Sequence, residues 1–348
     1  MNNTARKWQK IFSSGADYDL LYLSVSAASA VINRIATRNA GRTKYIGAMF
    51  RTCMLSLLAL FVFTSNAQTI LVHGHRGSRA TRPENTIPAF EYAIQHGADV
   101  LELDLAVTRD NVLVVSHSPF LSGDFPGERT CVGPETPPHT AIHSLTLAQV
   151  KQYDCGAQTL GKFPRQVAVP GTKIPTFDEV LDLASQGTFD FNVETKSFPS
   201  HPELTPSPEE FVKMIEDAVK RHNLQSRVIL QSFDFRTLAA MKKLDPSIRL
   251  SALIGANSKD DAMMGITDHD KDFVSIGKKT GAQIISPDFH LVTPEKVAAA
   301  HAAGLQVVPW TADTPADWQA LADAKVDAII TDDPEALVLW LRNKKLHP

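Results

Sequence analysis

From residue 68 onward, short apolar runs alternate with stretches whose apolar positions recur at helical spacing. The pattern predicts a strand over 69–73, a helix over 86–96 and a strand over 100–107. A turn at Arg109-Asp110-Asn111 leads into a second extended run over 112–116. An irregular section follows, about 118–173. Alternation then resumes, with a helix over 176–185 that Thr176 and Glu179 open as a capping box. A strand over 189–194 precedes a helix from Ser207 to His222. Strands over 228–231, 250–254, 283–286, 306–310 and 328–331 then alternate with helices over 235–244, 294–303, 315–322 and 334–343. Residues 255–281 carry the weakest pattern.

About eight strand–helix units suit a (β/α)8 TIM barrel of the α/β class, with an irregular insertion after the second strand. An open doubly wound sheet would give similar strands. The polar residues favour the barrel. His75, Glu102, Asp104, Glu194, Gln231, Ser286 and Trp310 all fall at or near strand C-terminal ends. A barrel gathers those ends at one mouth, whereas an open sheet spreads them along an edge.

The N-terminal pattern is different. Residues 49–67 combine a positive Arg51, an apolar run from Met54 to Phe63, and small residues at Ser65 and Ala67. That predicts a secretory signal peptide cleaved after Ala67. The run is shorter than the roughly 20 residues that span a bilayer. Translation is expected to start at Met49, with residues 1–48 a non-native or disordered extension. The barrel domain is then 68–348, exported to the periplasm or secreted, with no stable membrane anchor after cleavage. Removal of Cys53 leaves Cys131 and Cys155, an even number that allows a disulfide in an exported protein. A hydrophobic content of 43% fits a soluble globular protein, and a net charge of −3 gives no reason to expect nucleic acid.

The chemistry concentrates between His73 and His117 and resumes near residue 194. Glu102 and Asp104 are two apart on a strand, so they share a face, and apolar neighbours argue against an exposed edge. Glu194 ends another strand. Inward-facing carboxylates repel unless a cation or protons sit among them, and oxygen ligation suits calcium or magnesium. His75 and His117 are a candidate acid/base pair, because an imidazole titrates near neutrality. Arg76 and Lys196 offer positive charge for a phosphate. Glu84 or Asn85 is well placed to hold the loop after His75. His73 reads as structural. His139, His143, His201 and His269 fall in loops without supporting partners.

The combination His75-Arg76-Gly77, Pro83-Glu84-Asn85-Thr86, Leu101-Glu102-Leu103-Asp104, Thr108-Arg109-Asp110 and His117 resembles the glycerophosphodiester phosphodiesterase family. Asn192-Val193-Glu194-Thr195-Lys196, Gln231-Ser232-Phe233 and Pro309-Trp310-Thr311 extend the resemblance across the chain after residue 67. It implies hydrolysis of small glycerophosphodiesters to sn-glycerol 3-phosphate and an alcohol, with one divalent cation, calcium or magnesium, as cofactor. It implies Glu102, Asp104 and Glu194 as metal ligands and His75 and His117 as catalytic residues. Arg76, Lys196 and Trp310 are the implied substrate contacts, and the insertion the cover of the mouth. One position departs: the family usually has His-Asp where this chain has His117-Ser118. Two other readings stand beside it. One is a phospholipase D-like enzyme acting on lysolipids or sphingolipids, and the other is a catalytically inactive exported binding protein.

Overall fold

The computed structural model describes residues 68–121, 131–134, 139–256 and 270–348. The predicted extension at 1–48 and signal peptide at 49–67 lie outside the described residues, as does His269.

Eight parallel strands form the barrel: β1 (Leu71–Gly74), β2 (Val100–Val107), β4 (Asp190–Thr195), β5 (Val228–Ser232), β6 (Arg249–Ile254), β7 (Ile284–Pro287), β8 (Gln306–Val307) and β9 (Ala328–Thr331). The short β3 (Leu113–Val115) lies antiparallel on β2. β9 pairs in parallel with β1. Between β8 and β9, Asp327 N donates to Val307 O and Ile330 N to Pro309 O, each at 3.0 Å, which closes the ring.

Helices separate most of the strands: α1 (Ile87–Gln95), α3 (Phe177–Leu181), α4 (Pro208–Arg221), α5 (Phe235–Leu244), α6 (Phe273–Thr280), α7 (Pro294–Ala302), α8 (Pro315–Asp323) and α9 (Pro334–Asn343). Their starts are written locally. Thr86 caps α1, and the Thr176/Glu179 and Ser207/Glu210 capping boxes open α3 and α4. The weak pattern at 255–281 hides α6, a short helix that carries the poor helix former Gly277 in its interior. The strand expected at 306–310 is regular only over Gln306–Val307, and Trp310 continues it as a single bridge to Asp288.

Alternation sorts the two faces of each strand. Val72, Leu101, Leu103, Leu105, Phe191, Val193, Val228 and Leu230 belong to the large core shared with the helices. Their neighbours His73, Glu102, Asp104, Asn192, Glu194 and Gln231 therefore face the barrel interior, where all are buried. The apolar neighbours expected to keep Glu102 and Asp104 off an exposed edge, Leu101, Leu103 and Leu105, take the outer face. A separate cluster of Ile229, Ile284, Val308, Ala328 and Ile330, drawn from strands and their extensions alone, supplies the apolar part of the interior.

The insertion after β3 has its own small core, including Val114, Leu121, Ile142, Val150, Tyr153 and Ile174. A disulfide joins Cys131 to Cys155 inside it. The section is less irregular than expected, since it holds a 3-10 turn at Ile142–Ser144 and a short helix α2 (Leu147–Val150). His143 does have a partner, donating from Nδ1 to the Val107 carbonyl at 3.0 Å and tying the insertion to β2. His201 also has one, at 3.2 Å from Glu203 on the surface. His139 packs edge-on against Phe120. At the far end, Gln166 Nε2 donates to Arg79 O at 2.7 Å and Val167 N to Thr81 O at 3.0 Å. These bonds bring the insertion to the loop after β1, at the barrel mouth.

Candidate active site

The site is assembled by register. Asp104 and Glu194 are lateral partners across β2 and β4. Glu102 sits one inward position below Asp104. Glu102, Asp104 and Glu194 each bring one carboxylate oxygen within 4.8 Å of the others. All three are nearly sealed from solvent.

Neighbouring groups fix each carboxylate. Glu102 Oε2 accepts from Arg76 N at 2.9 Å, and Oε1 accepts from Gln231 Nε2 at 2.7 Å. Asp104 Oδ2 accepts from Asn85 Nδ2 at 2.8 Å and lies 3.5 Å from Arg76 Nε. Lys196 Nζ bridges the other two, at 3.0 Å from Asp104 Oδ1 and 2.6 Å from Glu194 Oε1. Asn85 reaches Asp104 from a left-handed backbone with φ 54°. That conformation is one asparagine tolerates better than most residues. Both candidates for the loop after His75 therefore act, Asn85 on Asp104 and Glu84 on Arg76 Nη1 at 2.9 Å. Arg79 also contacts Glu84.

Electrostatics divide the cluster. Burial pushes Glu102 well above the usual carboxylate range, and the charges of Asp104 and Glu194 push it further. Burial raises Glu194 to about 7 against the pull of Lys196. Burial would raise Asp104 too, but Lys196, His117 and Arg76 outweigh it and hold that carboxyl well below its ordinary range. Lys196 is held up by Asp104 and Glu194 against its own burial. Two of three converging carboxylates are thus short of positive charge. A hard divalent cation fits such an all-oxygen donor set.

His75 follows β1 and directs Nδ1 to Asp332 Oδ1 at 2.5 Å. The carboxylate can only accept, so Nδ1 carries the proton and Nε2 is left for chemistry. Burial lowers His75, while Asp332 opposes that shift. Burial would raise Asp332, but the imidazole beside it draws it down to about 2. His117 follows β3. Burial, then Arg76 and Lys196, hold its pKa well below the ordinary value. Ser118 follows it, and its Oγ accepts from Phe120 N at 3.1 Å and so shapes the loop. Trp310 donates Nε1–H to Ser286 O at 2.8 Å and meets Phe233 edge-on at 5.6 Å between ring centroids. It packs against the apolar half of the interior.

Two residues missing from the sequence reading belong to this site. Asp332 orients His75, and Arg79 lies between Glu84 and Asp332, 3.9 Å from the latter. Asp332 follows the last strand, and ring closure sets β9 beside β1. The strand-end rule that picked out the other polar residues applied to it equally.

Fold and site together define a (β/α)8-barrel enzyme whose mouth joins a carboxylate cluster to histidines and buried cations. The chain belongs to the glycerophosphoryl diester phosphodiesterase family, whose model matches residues 75–336. It is 33% identical over 272 residues to a glycerophosphodiester phosphodiesterase of Caldanaerobacter subterraneus, covering 78% of this chain and 98% of that one. A glycerophosphodiester phosphodiesterase of Bacillus subtilis is 31% identical over 273 residues, covering 76% of this chain and 84% of its own. Among solved structures, a provisionally assigned glycerophosphoryl diester phosphodiesterase of Silicibacter pomeroyi superposes with a TM-score of 0.71 at 28% identity. That match covers 80% of this chain and 95% of the other.

Proposed function

We propose that the protein is an exported, metal-dependent enzyme that hydrolyses glycerophosphodiesters to sn-glycerol 3-phosphate and an alcohol. One observation carries the reading: Glu102, Asp104 and Glu194 converge within 4.8 Å beside the Asp332-oriented His75, in a chain of this family. The three carboxylates would hold one divalent cation, calcium or magnesium, which supplies charge neutralisation and polarisation at the phosphoryl oxygens. Arg76 and Lys196 add fixed positive charge for the phosphate, and Trp310 walls the pocket.

His75 and His117 move the protons. One imidazole takes the proton of the nucleophile, a water or the neighbouring glycerol hydroxyl, as the new P–O bond forms. The other gives a proton to the departing alkoxide as the old P–O bond breaks; where the glycerol hydroxyl is the nucleophile the product is a cyclic phosphodiester, which a water then opens to sn-glycerol 3-phosphate. Asp332 holds His75 in the tautomer that frees Nε2 and stabilises its imidazolium. Substrates are small diesters with no nucleic acid among them. Export is supported by the predicted signal at 49–67 and by the Cys131–Cys155 disulfide, a bond that persists in oxidising compartments.

A substrate panel tests the assignment. Glycerophosphocholine and glycerophosphoethanolamine should release sn-glycerol 3-phosphate, and lysophosphatidylcholine should release no choline. Faster head-group release from the lysolipid would move the protein to the phospholipase reading. Tight diester binding without any product would make it a binding protein.

A further inference from the structure

A line of buried polar side chains runs from the acidic cluster into the barrel interior. Gln231 Nε2 donates to Glu102 Oε1 at 2.7 Å. Asn192 Nδ2 donates to Gln231 Oε1 at 2.8 Å and lies 3.4 Å from His73 Nδ1. The line follows from register. Asn192 is the lateral partner of Glu102, and Gln231 that of Glu194, so both amides point inward beside the carboxylates. Glu102, Asn192 and Gln231 are each 1% exposed and His73 is 3% exposed. Polar groups so buried cost stability unless hydrogen-bonded.

We propose that Asn192 and Gln231 are positioning residues of the cation site, a relay anchored on His73 that presents an amide N–H to Glu102 and fixes the aim of its carboxylate. This rests on the reading of Glu102, Asp104 and Glu194 as a divalent-cation site. With Glu102 ionised, its carboxylate can only accept, and that sets the polarity of the relay. Asn192 Nδ2 donates to Gln231 Oε1 and can offer its second hydrogen to His73 Nδ1 when that ring nitrogen is unprotonated, while Asn192 Oδ1 has no partner among the described residues. The oxygen of the Gln231 amide is thereby committed to Asn192, and its nitrogen must face Glu102. The opposite rotamer would set the Gln231 oxygen against a Glu102 carboxylate oxygen, two buried acceptors with no proton between them. Glu102 Oε2 is meanwhile held by Arg76 N at 2.9 Å. Each carboxylate oxygen keeps lone-pair capacity for a cation while its direction is set. Partners of this kind commonly tune metal affinity 10- to 100-fold.

Calorimetric titration of calcium chloride and magnesium chloride into the intact protein tests the relay without reference to turnover. Gln231→Met removes the donor at nearly constant volume. Asn192→Asp replaces the amide nitrogen with an acceptor and drives Gln231 to turn its oxygen toward Glu102. Each should weaken cation affinity about 10- to 100-fold. The double variant should be no weaker than the worse single variant, because Asn192 acts only through Gln231. His73→Gln retains an acceptor for Asn192 and should keep more affinity than His73→Leu, which reads the relay from its far end should Asn192→Asp fold poorly. Unchanged affinity in Asn192→Asp or His73→Leu, or losses that simply add in the double variant, would overturn the relay and leave the cation site standing. No binding of either cation by the unmodified protein would overturn both.

Discussion

The barrel interior has two unlike halves. Along β1, β2, β4 and β5 it is lined by His73, Glu102, Asp104, Asn192, Glu194 and Gln231, all buried. A second inward set, Ile284, Val308, Ala328 and Ile330 from β7 to β9 with Ile229 of β5, packs together with Trp310 at its edge. The outer faces of both halves join the same helix-packed core. The fold therefore demands apolar residues outside every strand, while the inner face is free to differ. On one side it is spent on stability, and on the other it carries charge that burial penalises. The polar half holds together only because its groups are paired: Lys196 with Asp104 and Glu194, Arg76 with Glu84, His75 with Asp332.

Substitutions should separate the halves by what they damage. The largest effects belong to the polar side. His75→Ala and His117→Ala should each lower kcat by about 10²- to 10⁴-fold, with thermal midpoints close to the parent in a melt. Asp332→Asn keeps the shape but offers an amide where His75 needs a carboxylate. Steady-state kinetics should show kcat reduced about 10²-fold through lost orientation, with KM little moved.

On the apolar side the damage should fall on stability. Ile330→Ala opens a cavity in the inner cluster and should cost roughly 2–5 kcal/mol, measured by denaturant unfolding, with kcat per folded molecule nearly retained. A large kcat loss there would erase the distinction between the halves.

The smallest effect concerns His73. Burial, with a smaller push from Arg249, lowers its pKa to about 3 from an ordinary 6.5. The unfolded chain thus binds a proton that the folded chain refuses between those values. The resulting stability is complete above pH 6.5 and declines as pH falls toward 3. At pH 5 the loss from this one group is about 2 kcal/mol. His73→Gln should flatten that part of the stability–pH curve, and an unchanged slope would show that His73 is not the group responsible.

Much of this division is legible in the sequence. The two-residue spacing of Glu102 and Asp104 sets them on one face, and the leucines between and around them mark the other. The strand-end position of Glu194 points to the mouth. Spacing along one strand cannot give the register between strands, so neither the proximity of Glu194 to Asp104 nor the reach of Gln231 to Glu102 could be read. Asp332 was open to the strand-end rule, but its pairing with His75, 257 residues away, was not, since only closure of β9 onto β1 makes them neighbours. The pairing of Cys131 with Cys155 was allowed but not decided, since it depends on how the insertion folds. The Ser118 departure stands directly after His117. In the fold its hydroxyl serves the backbone of Phe120.

The central claim is that the polar half works by holding a divalent cation against the substrate phosphate. Release of sn-glycerol 3-phosphate from glycerophosphocholine, followed before chelation, after chelation and after return of calcium or magnesium, tests it most directly. The account predicts a fall of at least about 10²-fold on chelation and recovery when one of the two cations is restored. Full activity after exhaustive chelation would contradict it.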